Sequence, residues 1–170
     1  VGAGNLFISA KNVALESLSA AAREPYHVGA TVDGVEIAYE PDYTDIVVDQ
    51  LKDAAIIFQN GFRVTVRTQL AEATLANLKM AWGMPDSALA SNKLSIGVPP
   101  DEPTERKLLV IGRNPQDFER RYFARRAVAV DTSSHMLRRA EATLFPVAFR
   151  LLGDPAYTGS EYGYIEDATS

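Results

Sequence analysis

The chain has 170 residues, 46% of them apolar, which is about one domain's length and enough for one sizeable core. Ordinary glycine and proline contents and the lack of any apolar run near the roughly 20 residues of a bilayer span exclude disordered, collagen-like and helical membrane classes. With no cysteine there can be no disulfide framework, thiolate nucleophile or Cys-based metal site, and a net charge of -5 argues against a protein that grips nucleic acid by neutralising phosphates.

In chain order, Val1-Gly2-Ala3-Gly4 carries no basic or long apolar segment, so no secretory signal is expected there. Val32 to Glu40 alternates Val35, Ile37 and Tyr39 with Glu36, Ala38 and Glu40, predicting a half-buried strand opened by an Asp33-Gly34 turn and stopped by Pro41. Ile46 to Gln50 is an extended β-branched run. Ala55 to Gln59 leads into Asn60-Gly61, a two-residue hairpin signal because both turn positions need positive φ. The strand Phe62 to Thr68 sets Phe62, Val64 and Val66 on one side and Arg63, Thr65 and Arg67 on the other, which predicts a sheet with one polar face.

Gln69 to Trp82 is rich in helix formers, free of Gly and Pro, and ended by Gly83. Its apolar stripe of Ala71, Leu75, Leu78 and Trp82 is expected to lie on the sheet. A Pro-rich acidic connector, residues 99 to 103, precedes a short apolar strand, Leu108 to Ile111, closed by Gly112. Arg121 to Val130 and Met136 to Leu152 then predict a long antiparallel hairpin with an arginine-lined face, and Tyr162 to Ile165 a terminal edge strand. With no βαβ alternation, the expectation is a mainly β fold, a β-sandwich or β-barrel with one flanking α-helix and extended loops or arms. Residues 1–170 are expected to form a single domain, with 1–27 as an N-terminal arm and 40–62 as an extended loop or hairpin.

Charge is segregated along the chain. Residues 33–53 carry Asp33, Glu36, Glu40, Asp42, Asp45, Asp49 and Asp53 against only Lys52, whereas residues 120–150 carry seven arginines against Asp131 and Glu141. Such blocks either match internally or form two surfaces meant for different copies of the chain. Asp42, Asp45, Asp49 and Asp53, three or four apart, suit an acidic helix stripe or a loose divalent-cation site less well than an extended solvated arm, because Ile46-Val47-Val48 between them is β-branched. Arg120-Arg121 and Arg125-Arg126, with Tyr122 and Phe123, have the letters of a phosphate-and-stacking site, but a solvated or partner-facing strand is the simpler reading.

Catalytic chemistry has no positive support in the sequence. His27 and His135 lack a second histidine at ligand spacing. Asp131 with Ser133, Ser134 and His135 contains triad letters but no nucleophile elbow, and Gly2-x-Gly4 has no preceding strand or third glycine in register. No enzyme, cofactor or metal site is expected.

Several phrases, in order along nearly the whole chain, resemble the major tail tube protein of long-tailed bacteriophages. They are Val1 to Ile8, Val28 to Thr31 with Gly34 to Pro41, Ile46 to Gln50, Val64 to Val66 leading into Leu70 to Leu78, and Ala142 to Arg150 with Gly153-Asp154-Pro155. Each is a strand or helix-start phrase and not a catalytic signature; their order carries the likeness. The resemblance implies a tube-protein fold shared with contractile tails and type VI secretion, in which hexameric rings stack into a hollow tube that conducts DNA during ejection. It further implies a virion protein assembled in the host cytoplasm, with copies of itself and tail-tip, tape-measure and terminator proteins as partners, transient passage of DNA, and no membrane insertion. On that reading Asp42, Asp45, Asp49, Asp53, Arg121, Arg125 and Arg126 are expected at subunit or ring contacts, and Glu36, Glu141 and Thr143 toward the lumen. A single-ring tail terminator and a monomeric β-sandwich binding module, for instance for carbohydrate, are the alternatives; the second needs exposed aromatics gathered on one face.

Overall fold

The computed structural model describes residues 4–47, 54–97, 102–130 and 144–168. The fold is mainly β. Seven strands form one antiparallel sheet: β1 (Asn5–Ala10), β2 (Thr31–Val47), β3 (Ala54–Leu70), β6 (Arg106–Arg113), β7 (Glu119–Ala129), β8 (Phe145–Leu151) and β9 (Gly163–Asp167). Their order is β1-β6-β7-β8-β3-β2, with β9 on β7. The two-residue strands β4 (Leu89–Ala90) and β5 (Lys93–Leu94) pair separately, and the helices are α1 (Ala20–Arg23) and α2 (Leu75–Ala81).

β7 is where the sheet divides. One edge pairs with β6, while the other takes β9 along Arg120 to Ala124 and β8 along Ala127 to Ala129. The β7–β8 ladder is therefore three residue pairs long, shorter than the hairpin expected from 121–130 and 136–152, and residues 131–143 lie outside the described set. Gly163 makes the β9 junction fit: its φ is +143° and a Cβ there would stand 1.8 Å from the Phe123 carbonyl oxygen, so the backbones meet where no side chain has room. The core joins Leu6 and Ile8 of β1, Leu108 and Val110 of β6, Val66 and Leu70 of β3, and Phe145, Val147, Phe149 and Leu151 of β8. On the opposite face Phe7, Leu109 and Phe123 are covered by Leu15, Leu18 and Tyr26.

Five expectations change. Residues 5–10 are a paired, largely buried strand and not part of an arm, because Leu6-Phe7-Ile8 finds apolar partners on both faces of the sheet. The Asp33-Gly34 pair is a bulge inside β2, with φ of +62° and +80°, that shifts register between Val32 and Val35. Pro41 does not stop β2; it lies opposite Phe62 on the sheet's edge strand, where a missing N–H is tolerated. Asn60-Gly61 is likewise no turn: Asn60 is the extra residue of a second bulge within a continuous β3, and the β2–β3 connection, residues 48–53, lies outside the described residues.

The helix is the fifth. β3 keeps its alternation of Val64, Val66, Thr68 and Leu70 up to Leu70, so residues 69 and 70 belong to a strand and Ala71 to the link. Helix α2 begins only after Thr74, whose Oγ1 accepts from the Asn77 N–H at 3.1 Å. With this later start the buried face becomes Asn77, Leu78 and Ala81, while Leu75 and Trp82, expected in the core stripe, are exposed. Asn77 is tied down by donating from Nδ2 to the Val28 carbonyl at 2.7 Å and the Glu72 carbonyl at 2.8 Å.

Candidate assembly surface

Two strands of 17 residues each reach well past the rest of the sheet. β8 pairs with β3 only from Thr65 to Leu70, so from Ala54 to Val64 β3 has β2 on one edge and, among the described residues, no strand on the other. β2 has no outer partner among the described residues at any point. The distal stretch, residues 42–47 with 54–61, is a two-stranded arm. Two strands alone are barely stable in water. It nevertheless exposes Tyr43, Ile46, Ile57 and Phe58, with Ile57 at 62% accessibility. Asp42 and Asp45 lie on this arm and are exposed; Asp49 and Asp53 lie outside the described residues.

At its base the arm is anchored by aromatic contacts. Tyr39 stacks on Phe62 at 5.2 Å between ring centres, and Phe62 packs on Tyr162 at 4.7 Å. Beside this cluster an open apolar pocket of about 230 Å³ separates Ile37, Val64 and Val66 from Tyr122, Ala124 and Ile165.

The other face of β2, β3 and β8 is polar, as alternation predicts. Arg63, Thr65 and Arg67 share that face on β3, and Arg150 stands opposite Thr65 on β8, diagonal to both arginines. Glu36 and Glu40 lie directly across from Arg67 and Arg63, but no ion pair closes between them. Glu36 therefore sits on the sheet's polar face; Glu141 and Thr143, its expected companions, lie outside the described residues.

The arginines of β7 behave differently, because each is engaged within the chain. Arg120 donates from Nη2 to Asp167 Oδ2 at 2.7 Å, and Arg121 pairs with Glu119. Arg125 donates from Nε to the Ser160 carbonyl at 3.1 Å and lays its guanidinium 3.6 Å from the Tyr157 ring centre. Arg126 donates from Nε to Glu105 Oε2 at 3.0 Å and from Nη1 to the Gly153 carbonyl at 2.8 Å. Glu105 also meets Lys11 at 2.7 Å, and hydrogen bonding to Arg126 holds its carboxyl down at about 2 despite opposing desolvation. The Arg120 guanidinium likewise lowers Asp167 to about 2.

The sequence-predicted contact residues thus divide. Asp42 and Asp45 lie exposed on the arm with no ion pair among the described residues, while Arg121, Arg125 and Arg126 are committed to Glu119, Ser160 with Tyr157, and Glu105. Pairing between the acidic and basic blocks inside one chain is not observed among the described residues. Sequence reasoning missed Glu105, Glu119 and Asp167 as the partners of the basic block, since all three lie outside the acidic block; Glu119 is two residues from Arg121 on β7, while only the sheet register brings Glu105 and Asp167 close. It also missed Arg63, Arg67 and Arg150 as a group. The polar alternation of β3 was the available signal for two of them.

Among the described residues no three His, Asp or Glu side chains gather to hold a metal ion. His27 packs on Phe7 at 5.1 Å between ring centres, and its Nδ1 accepts from the Gly29 N–H at 3.2 Å. No protein-family model matches the chain, and no curated protein matches it.

Proposed function

We propose that this chain is a structural subunit that assembles with copies of itself into stacked hexameric rings, the tail-tube role implied by its resemblance to phage tail tube proteins. The observation that carries the reading is the β2–β3 arm. It is a long hairpin with exposed apolar side chains and, among the described residues, two uncovered edges, and two strands alone are barely stable in water. An arm on one surface that seats on a different surface of the next copy is a heterologous contact, which closes into rings or runs on as filaments. On this reading the chain is no enzyme and needs no cofactor, its assembly partners are its own copies with tail-tip, tape-measure and terminator proteins, and its place is the virion tail.

Negative-stain imaging and light scattering of the concentrated protein test this, with and without a tail-tip nucleus. Rings or tubes are the expected result. Monomer under both conditions overturns the proposal, and isolated rings that never stack would favour the terminator role. Monomer would favour the carbohydrate-module alternative, for which Tyr39, Tyr43 and Phe62, exposed together on one face of β2–β3, are the residues to test.

A further inference from the structure

Resting on that reading of the chain as a self-assembling subunit, we infer that the arms of successive copies stack face to back: Tyr43 and Ile57 on one face of an arm pack on Ile46 and Phe58 on the opposite face of the next. The register fixes the two faces. Beyond the Asn60 bulge Tyr43 stands opposite Gln59, Thr44 opposite Phe58, Asp45 opposite Ile57 and Ile46 opposite Ile56, and residues opposite each other in a ladder share a face. Tyr43, Asp45, Ile57 and Gln59 therefore lie on one face, and Thr44, Ile46 and Phe58 on the other. Tyr43 is diagonal to Ile57 and Ile46 is diagonal to Phe58, and all four are exposed.

An antiparallel sheet at a surface is ordinarily apolar on one face only. Nearer the body β2 and β3 follow that rule, with Ile37, Tyr39, Val64 and Val66 on the core side and Glu36, Glu40, Arg63 and Arg67 on the other. Past the bulge the second face turns apolar through Ile46 and Phe58, while the first stays apolar and exposed through Tyr43 and Ile57. A ribbon with large apolar side chains on both faces fits between two others, about 10 Å from each, as layers do in a sandwich. Other exposed apolar residues, such as Leu75 on α2, Phe118 before β7 and Ile165 on β9, are scattered over separate elements, which is ordinary for a protein surface.

Polar groups beside each apolar pair are already satisfied. Gln59 donates from Nε2 to the Tyr39 hydroxyl at 3.1 Å, and Asn60 donates from Nδ2 to Thr44 Oγ1, so covering these amides leaves no donor stranded on their account. Asp45 shares the first face but stands on β2, whose outer edge is uncovered among the described residues, and its carboxylate can turn to water past that edge. Six residues of strand span about 20 Å and a two-stranded ribbon is about 10 Å wide, so one face falls short of the roughly 800 Å² that each partner of a stable pair buries. Covering both faces in a continuing run of copies doubles that burial and favours a closed or growing assembly over an isolated dimer. A contact between unlike faces of the same element is heterologous, as a ring requires.

Two sets of variants test this. Tyr43→Thr with Ile57→Thr strips the first face and Ile46→Thr with Phe58→Thr the second, in both cases keeping a residue suited to strands. Each is expected to raise the concentration needed for assembly by on the order of tenfold or more, with an unchanged monomer Tm because all four side chains are exposed. The chain has no cysteine, so Asp45→Cys marks the first face and Thr44→Cys the second while the apolar pairs stay intact. Side chains that meet across stacked ribbons stand about 5 Å apart, whereas equivalent positions in successive ribbons are a full repeat of about 10 Å apart with backbone between them. A thiol crosslinker of about 5 Å reach is therefore expected to link an equal mixture of the two cysteine variants and neither variant alone.

If the parent assembles and either threonine variant assembles at the parent's concentration, the inference falls while the proposed function stands. One cysteine variant that links to itself as readily as the mixture does would mean that like faces meet, and a mixture that stays unlinked while the parent assembles would mean that the arms do not stack; each overturns it. Unchanged assembly of the Tyr43→Thr, Ile57→Thr variant with lost binding to a panel of soluble oligosaccharides would assign the first face to carbohydrate and overturn arm stacking. A parent that never assembles overturns both.

Discussion

The β6–β7–β9 region and the β2–β3 arm are built from similar strands but follow opposite rules. Around β7 every arginine has a partner in its own chain, and the glycine at position 163 lets β9 press against β7 at backbone distance. On the arm, carboxylates and large apolar side chains face outward together, and the strand edges are uncovered among the described residues. Charge density therefore does not mark a contact surface. The arginine-rich strand is the part that completes itself, and the surface left open is the one whose charges lack partners.

This contrast is most strongly tested by truncating one aromatic in each region. Phe149 is 1% exposed within the core, and Phe149→Ala is expected to cost about 3–5 kcal/mol by removing buried surface and leaving a cavity. Phe58 on the arm is 52% exposed, so Phe58→Ala should change monomer stability by less than about 0.5 kcal/mol. Urea unfolding of both variants measures the difference directly. A large loss from Phe58→Ala would mean that the arm is part of the folding core.

A second pair sharpens the boundary of the body at α2. Leu78 is buried against it, and Leu78→Ala is expected to cost roughly 2–5 kcal/mol. Trp82 is the larger residue but is 37% exposed, so Trp82→Ala should cost less than Leu78→Ala, reversing the order that side-chain size alone suggests. Equal losses in thermal unfolding would restore the wider stripe expected from the sequence.

These pairs also show how far the sequence could be read. The mainly β class followed from alternation in Val35 to Tyr39, Val64 to Val66 and Leu108 to Ile111, because a period of two survives whatever the strands pair with. The polar face of β3 was legible for the same reason. The turns were not. Asp33-Gly34 and Asn60-Gly61 carry the letters of hairpin turns, but those residues also suit bulges, and only cross-strand register distinguishes the two. Helix α2 was drawn six residues too early, because propensity cannot see that Gln69 and Leu70 already have strand partners in Pro146 and Phe145. Of the candidate surface, Asp42 and Asp45 could be found from spacing and charge. The commitment of Arg126 to Glu105, 21 residues away, could not, since it depends on a bulge between Arg106 and Leu108 that sets where β6 meets β7.

The smallest expected effect comes from acid, and it separates the two regions by their ion pairs. The carboxyl of Glu105 falls from 4.5 to about 2 on folding, chiefly through its hydrogen bonds to Arg126 and then Lys11. A carboxylate held lower in the folded chain stabilises it at pH values above its unfolded value, and that contribution drains away as pH drops from about 4.5 toward 2. Asp167, lowered from 3.8 to about 2 by Arg120, acts in the same direction over a slightly lower window. The arginines stay charged throughout, so the slope belongs to the carboxylates. Arg126→Gln should therefore flatten the acid limb of a stability–pH curve between about 4.5 and 2 while leaving Lys11 to hold part of the Glu105 effect. Asp42→Asn with Asp45→Asn removes carboxylates that have no ion-pair partner among the described residues, and should leave the monomer's acid limb in place. Equilibrium denaturation at a series of pH values measures all three chains. An Arg126→Gln limb as steep as the parent's would show that the girdle around β7 is not stabilised by its ion pairs, and would remove the physical basis for treating its arginines as already committed.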